Sequence, residues 1–414
     1  MITVKPFKAL RPRQDLASRC AALPYDVMSS REAREMVKGE PYTFLRVDRA
    51  EVNLDEGVDI YSDQVYECAR DTLRQMENEG VYINDSESKF YFYRQIMNGH
   101  SQTGIVGCAC IDDYLENRIK KHEFTRADKE QDRIRHVDTV GAHTGPIFLT
   151  YKDSQGLDEI IEKETQRQPL YDFVAEDGVR HTVWKSSSGA VDNAIEGEFS
   201  TLDALYIADG HHRCASAVKV GVKRRQENPC HKGDEEYNFF LSVIFPSKSL
   251  SILDYNRLLR DLNGYTAEEL LAEIEKKVGH VSKFEGEGPY KPTKKHTVGI
   301  YLAGKWYRVD FHNSICQDEK AVDRLDCAIL QKHLLGGILG ILDPRSDRRI
   351  DFAGGIRGLE YLEKRCREDM QMAISMYPTS LDDLMAVADS GDVMPPKSTW
   401  FEPKLRSGLL IHKL

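Results

Sequence analysis

Between Tyr206 and Val220 the chain reads YIADGHHRCASAVKV, an apolar run that stops at Asp209-Gly210 and restarts as a helical pattern. A strand that ends in Asp-Gly and opens directly into a helix leaves backbone N–H groups and the positive end of the helix dipole facing outward, where they favour an anion. Gly210 lets the backbone approach a ligand, and Arg213 can grip a phosphate with two parallel hydrogen bonds. Asp209 can serve a metal ion or accept a hydroxyl proton. His211 and His212 share that first turn. The plain alternative is a capped helix start with packed histidines, but Asp, two His and Arg in one turn exceed what a cap requires.

A chain of 414 residues with 41% hydrophobic content can bury a real core, and its length suggests two or three packed units. A net charge of -10 and a pI near 5.8 argue against a nucleic-acid partner, which needs a basic face. No run of about eighteen apolar residues and no signal-type segment is present, so the expectation is a cytoplasmic protein without a membrane partner. The nine cysteines include no CxxC pair and read as reduced thiols.

Strand and helix patterns interleave along the chain, which implies a mixed α/β (α+β) architecture. A helix is predicted from about Asp59 to Glu79, with Val65, Ala69, Leu73 and Met76 on one face and Gly80 closing it. Hairpins are predicted at Asn98-Gly99 and at Asp177-Gly178. PIFLTY and NFFLSVIF read as further strands. From about residue 250 a second domain, 251–414, is expected, with a capping box at Thr266-Ala267-Glu268-Glu269. Two strands should turn at Ala303-Gly304, and a helix should run from about Val322 to Leu335.

A second constellation is His122-Glu123-Phe124-Thr125-Arg126, continuing to Lys129, Asp132, Arg133 and His136. If Thr125 caps a helix with Asp128 at the capping-box position, residues 129, 132, 133 and 136 share one ionisable face. That face reads either as a solvated set of ion pairs or as part of a site, and weak apolar periodicity tips the reading toward a site.

Near the C-terminus, Met394-Pro395-Pro396-Lys397-Ser398-Thr399 imitates a Walker A loop. The imitation fails physically, because proline in place of the second glycine cannot donate an N–H to phosphate and no strand precedes it. It reads as a rigid loop presenting Lys397 and the hydroxyls of Ser398 and Thr399, or as a proline-stiffened connector. The alternating charges of Asp343 to Arg349 read as a solvated turn that could add arginines to a polyphosphate pocket. A zinc site from His122, His211 and His212 lacks the HExxH or HxH spacing.

The run ADGHHR, the HEFT segment followed by Lys129, Asp132 and Arg133, the GPIF strand and MPPKSTWFEPK together resemble an uncharacterised family of bacterial and archaeal proteins, over nearly the whole chain. More distantly, the strand-DGHHR-helix unit resembles the phosphate-binding motif of the ParB and sulfiredoxin-like superfamily, where a short G-x-x-R turn opens a helix. The free serine kinases of that superfamily carry a similar turn and phosphorylate the hydroxyl of the free amino acid with ATP or ADP. The resemblance implies that Asp209, Gly210, His211, His212 and Arg213 hold nucleotide phosphates and Mg²⁺. It also implies a ParB-like core in residues 1–250, with residues of about 50–200 inserted. In the small serine kinases an early glutamate acts as base; Glu123 is the candidate here on chemistry alone.

Motifs and resemblance together predict a phosphotransferase acting from ATP or ADP on a small hydroxyl metabolite, and the resemblance implies free L-serine as that metabolite. Arg213, Lys129, Arg133, Lys397 and Mg²⁺ would neutralise phosphates. Asp209 or Glu123 would take the hydroxyl proton, and His211 and His212 would orient the transferred group. A nucleotide-binding regulator or slow nucleotidase is the alternative. A homodimer is left open.

Overall fold

Tyr91–Met97 and His100–Cys110 pair antiparallel across Asn98-Gly99, whose φ values of 50° and 81° make the tight turn that the Asn-Gly pair predicts. This hairpin sits inside a mixed sheet in a computed structural model that describes residues 1–414. The chain divides into two units, residues 1–250 with 403–414, and residues 251–402. The last twelve residues, expected in the second domain, thus belong to the first. Their backbone explains it: Ile411 exchanges hydrogen bonds with Leu10, Ser407 with Ala22, and His412–Lys413 pairs antiparallel with Ala142–His143.

In the first unit the sheet runs in the order Ile119–Lys120, Leu205–Asp209, Ile147–Tyr151, Phe239–Pro246, His100–Cys110, Tyr91–Met97, Arg180–Lys185, Tyr171–Val174. Val4–Lys5 adds to His100–Cys110. Leu205–Asp209 is parallel to Ile119–Lys120, and Ile147–Tyr151 is parallel to Phe239–Pro246; the remaining pairs are antiparallel. Residues of about 50–200, expected as an insertion, supply most of these strands and so form one sheet with the flanking segments. Phe92, Ile105, Leu149, Ile207, Phe240 and Ile244 fill its core with Ile195 and Phe199 of the helix Gly189–Thr201. Burial of each such side chain contributes about 1.5–3 kcal/mol.

The helix Asp63–Asn78 buries Val65, Ala69, Leu73 and Met76 as its periodicity predicts, although it starts four residues later than expected, behind Ser62. It packs on the helix Ala127–Val140, which in turn packs on His211–Glu227. No helix is long and apolar enough to cross a membrane. All nine cysteines are free thiols.

The second unit is built on a six-stranded antiparallel sheet, ordered Gly279–Lys283, Lys305–Phe311, Thr297–Leu302, Met372–Ser375, Tyr255–Leu259, Ile350–Gly354. The Thr266/Glu269 capping box forms reciprocally at the start of Ala267–Lys277. The helix expected over 322–335 is broken instead. A 3₁₀ turn, Val322–Arg324, gives way at extended Leu325 to Asp326–Ile329, and the chain then widens into a π-helix, Leu330–Gly336. The charged run at 343–349 forms local Asp343–Arg345 and Asp347–Arg349 ion pairs, the solvated-turn reading.

Candidate functional site

Leu205–Asp209 ends the strand and His211–Glu227 begins the helix, with Gly210 between them at φ 90°. Only glycine adopts this backbone at little cost, and a Cβ here would lie 3.2 Å from Arg213 Nε. No side chain caps the helix, so its first-turn N–H groups and dipole are left for an anion.

Asp209 turns toward its own loop. Its Oδ1 accepts from the Gly210 N–H at 2.9 Å, and its Oδ2 pairs with Lys404 Nζ at 3.0 Å. Burial pushes this carboxyl up, but Lys404 and Arg213 outweigh it and hold the group well below the usual carboxylate range. A carboxylate held so firmly ionised is a weak proton acceptor, so its fit is to charge balance rather than to general base catalysis.

The two histidines anchor the HEFT segment. The His122 N–H donates to His211 Nε2 at 3.4 Å, and the Arg126 N–H donates to His212 Nε2 at 3.0 Å. The role expected for both rings, orienting a transferred group, is therefore open only to their other nitrogens. His211 Nδ1 lies 3.7 Å from Glu123 Oε2, whose side chain is 38% exposed. Burial pushes His211 down to about 4 despite the nearby Asp209. His122 packs edge-on against His211 with ring centroids 4.4 Å apart, fully enclosed, and neither of its ring nitrogens meets hydrogen-bond geometry with a protein group.

Thr125 does not cap the next helix. Arg126 is the residue before Ala127–Val140, and the Thr125 hydroxyl instead donates to Glu130 Oε2 at 2.8 Å, while Lys219 binds the other oxygen, Oε1. The ionisable face is real but largely buried: Asp132 binds Tyr66 Oη at 2.9 Å and Arg133 at 2.9 Å, while His136 Nε2 lies 3.2 Å from the Val47 carbonyl. Arg133 also lies over the Tyr25 ring at 4.0 Å. Lys129, at the exposed end, donates to Tyr61 Oη at 3.2 Å.

Arg133 and Arg213, 80 positions apart in sequence, line one cavity of about 30 Å³ with Tyr25, Asp48, His143 and Ser407. Arg213 Nη1 donates to the Pro146 carbonyl at 2.6 Å, and its Nε is buried without a partner. A Cβ on Gly145 would lie 2.8 Å from Ser407 Oγ and 3.5 Å from Arg213 Nη1, so glycine is what allows this approach. A second cavity of about 40 Å³ shares Tyr25, Asp48, Arg133 and His136, and adds Lys129 and Arg49. Each holds a few waters at most, and of the four cations that line them Arg133 pairs with Asp132 and Arg49 with Glu51.

Lys397, Ser398 and Thr399 belong to the second unit. Lys397 Nζ lies 5.6 Å from the centre of the Tyr255 ring, and the Ser398 hydroxyl bonds the Pro395 carbonyl at 2.6 Å and Cys327 Sγ at 3.1 Å. Ser398 is thus engaged in shaping its own loop. No group of three or more His, Cys, Asp or Glu side chains is arranged to hold a metal ion.

Sequence reasoning did not single out Lys404, His143, Tyr25 or Asp48. The run MPPKSTWFEPK, already notable as a motif, ends on Lys404 and was the available signal. His143 stands just ahead of the GPIF strand.

The family model described as "Protein of unknown function (DUF1015)" matches residues 4–328. No curated protein matches the chain. Among solved structures, a free serine kinase in complex with AMP is similar at 13% identity and a TM-score of 0.36, over 71% of this chain and 89% of that one. SbnI with a C-terminal truncation from Staphylococcus aureus is similar at 11% identity and a TM-score of 0.39, over 74% and 87%. A conserved hypothetical protein from Pyrococcus furiosus follows at 14% and 0.34, over 71% and 91%.

Proposed function

The chain belongs to this family of unknown function, and from the geometry of its first unit we propose that it is a phosphotransferase moving a phosphoryl group from ATP or ADP to the hydroxyl of a small metabolite. The observation that carries the reading is the meeting of Arg213 and Arg133 in one cavity beside an uncapped helix N-terminus. Phosphoryl transfer asks chiefly for alignment and charge neutralisation, and this arrangement offers both. The first-turn N–H groups and Arg213 would take one phosphate, with the unpartnered Nε as the donor in waiting. Arg133, lining the same cavity, and Lys129, lining the adjoining one, would add positive charge toward the phosphates. Lys404 offsets Asp209, so that an anion can approach the turn.

Mg²⁺ would arrive with the nucleotide. Asp209 is the carboxylate nearest the turn, and Mg²⁺ bound mainly by phosphates and water needs only one or two such groups. Free L-serine is the acceptor to test first, on the resemblance of the DGHHR turn to that of the free serine kinases.

The experiment is a screen of amino-acid and sugar acceptors with ATP and ADP, scored for phosphorylated product and repeated on Arg213→Ala. Product in the wild type, lost in the variant, supports the reading. Tight nucleotide binding without product from any acceptor overturns it in favour of a nucleotide-binding regulator.

A further inference from the structure

Residues 121–126 carry the HEFT motif from the strand Ile119–Lys120 to the helix Ala127–Val140, outside any helix or strand. Both ends of the segment are fixed. Ile119–Lys120 pairs with Leu205 and Tyr206, and the Ser216 hydroxyl of the helix His211–Glu227 bonds the Glu130 carbonyl at 3.1 Å, which ties that helix to Ala127–Val140. Between these anchors only His122 is buried, and Phe124 is 68% exposed. Apolar burial therefore does little to hold the segment down.

Its backbone is held by two adjacent imidazoles. His212 Nε2 accepts the Arg126 N–H at 3.0 Å, a good hydrogen bond, and His211 Nε2 accepts the His122 N–H at 3.4 Å, a long one. A backbone N–H can only donate. His212 Nε2 must therefore carry a lone pair, and the neutral ring keeps its proton on Nδ1. If Nε2 also took up a proton, two N–H groups would face each other and the contact would become a repulsion.

The charges around His212 come from four sides. Asp26 from the Tyr25–Val27 turn, and Asp128 and Glu130 from the helix Ala127–Val140, favour the charged ring; burial and Arg126 of the segment itself oppose it. On its own helix His211 adjoins it and Lys219 pairs with Glu130. Burial is the largest effect and keeps the half-buried ring below the ordinary histidine range, so the contact is intact near neutral pH. In acid the same three carboxylates stabilise the charge that breaks it.

We propose that residues 122–126 form a strap and that His212 is its proton-operated latch: the neutral ring holds the strap against the Gly210 turn and the charged ring releases it. The strap carries Glu123, whose Oε2 lies 3.7 Å from His211 Nδ1, so release withdraws a carboxylate from the turn. His212 is thus a positioning residue that acts on the site through the strap. The latch stands on its hydrogen bond alone, and only its effect on turnover rests on the phosphotransferase reading.

Hydrogen exchange of the full chain without nucleotide tests the latch, with protection of peptides spanning 121–126 corrected for intrinsic exchange at pH 7.5 and at pH 4.5. The wild type should lose protection about tenfold at the lower pH, since a hydrogen bond gives way to a repulsion. His212→Gln sets an amide oxygen near the place of Nε2 that accepts at either pH, and its strap should stay protected at both. His212→Ala should lack the protection at both. The central strand Phe239–Pro246 is the reference and should stay protected throughout. Equal protection of the strap in the wild type and in His212→Ala at pH 7.5 overturns the proposal, and so does a His212→Gln strap that opens in acid as the wild type does. Loss in the wild type only together with the reference strand also overturns it, because the unit then unfolds as a whole. Turnover is a separate readout: its acid limb should move to lower pH in His212→Gln. A chain that transfers no phosphate sinks the phosphotransferase reading, while exchange still decides the latch.

Discussion

Lys404 Nζ meets Asp209 Oδ2 at 3.0 Å, so the C-terminal tail of the chain reaches the turn on which the site is built. The lysine side chain is 13% exposed and the aspartate 32%, which leaves the pair partly screened by solvent. It sets the local charge at the turn and contributes to stability through the ionised Asp209. Without Lys404, Asp209 would oppose an anion at the helix start.

Lys404→Met should therefore weaken nucleotide binding about tenfold and also lower the thermal midpoint, because it removes the first of the groups that hold Asp209 ionised. Calorimetric titration with ADP reads the first and differential scanning calorimetry the second. Unchanged affinity would remove Lys404 from the site.

Gly210→Ala should cost stability whether or not a ligand binds. The residue sits at φ 90°, and the added Cβ would crowd Arg213 Nε at 3.2 Å. A loss of about 1–2 kcal/mol in urea unfolding is expected, with Arg213 displaced from the cavity. Wild-type stability and wild-type affinity together would show that the turn tolerates a side chain.

Arg133→Met separates fold from function less cleanly, and in a useful direction. Arg133 and Asp132 form a buried pair, and removing one partner strands the other at a cost of about 3–5 kcal/mol. The double variant Arg133→Met with Asp132→Asn should recover much of that stability but not nucleotide affinity. Recovery of both would mean that Arg133 is structural only.

The buried histidines give the protein an acid limit. Burial pushes His211 down to about 4 and His181 down to about 3, and His136 is also lowered, by burial and then by Arg133. An unfolded histidine titrates near about 6.5, so between that pH and about 4 the unfolded chain binds protons that the folded chain does not. Stability is full above this window and falls as the pH falls through it. Asp209 acts with the same sign lower down, because its depressed pKa adds stability above the unfolded carboxyl value that is lost on further acidification. Thermal midpoints measured from pH 7.5 to 4.5 should drop steadily, and a flat profile would contradict the burial of these rings.

The sequence made local structure legible where one residue or turn decides it. Asn98-Gly99, Asp177-Gly178 and Ala303-Gly304 all adopt turn geometry, and Thr266 with Glu269 closes its box. The Gly210 turn was legible for the same reason. Its partner Lys404 was not, because it reaches the turn through tertiary packing that leaves no trace in spacing along the chain. Thr125 shows the complementary failure. Its capping pattern was correct as a pattern, but Glu130, held by Lys219, attracts the hydroxyl away from the helix start. Leu325 broke a helix whose apolar positions were sound, since an extended residue there resets the backbone.

The most direct test of the site is calorimetric titration of ADP into the wild-type chain and into Arg213→Ala. The account predicts saturable binding to the wild type and an affinity at least about tenfold weaker in the variant, since a charge-assisted phosphate contact is lost. Equal affinity in the two proteins would contradict it.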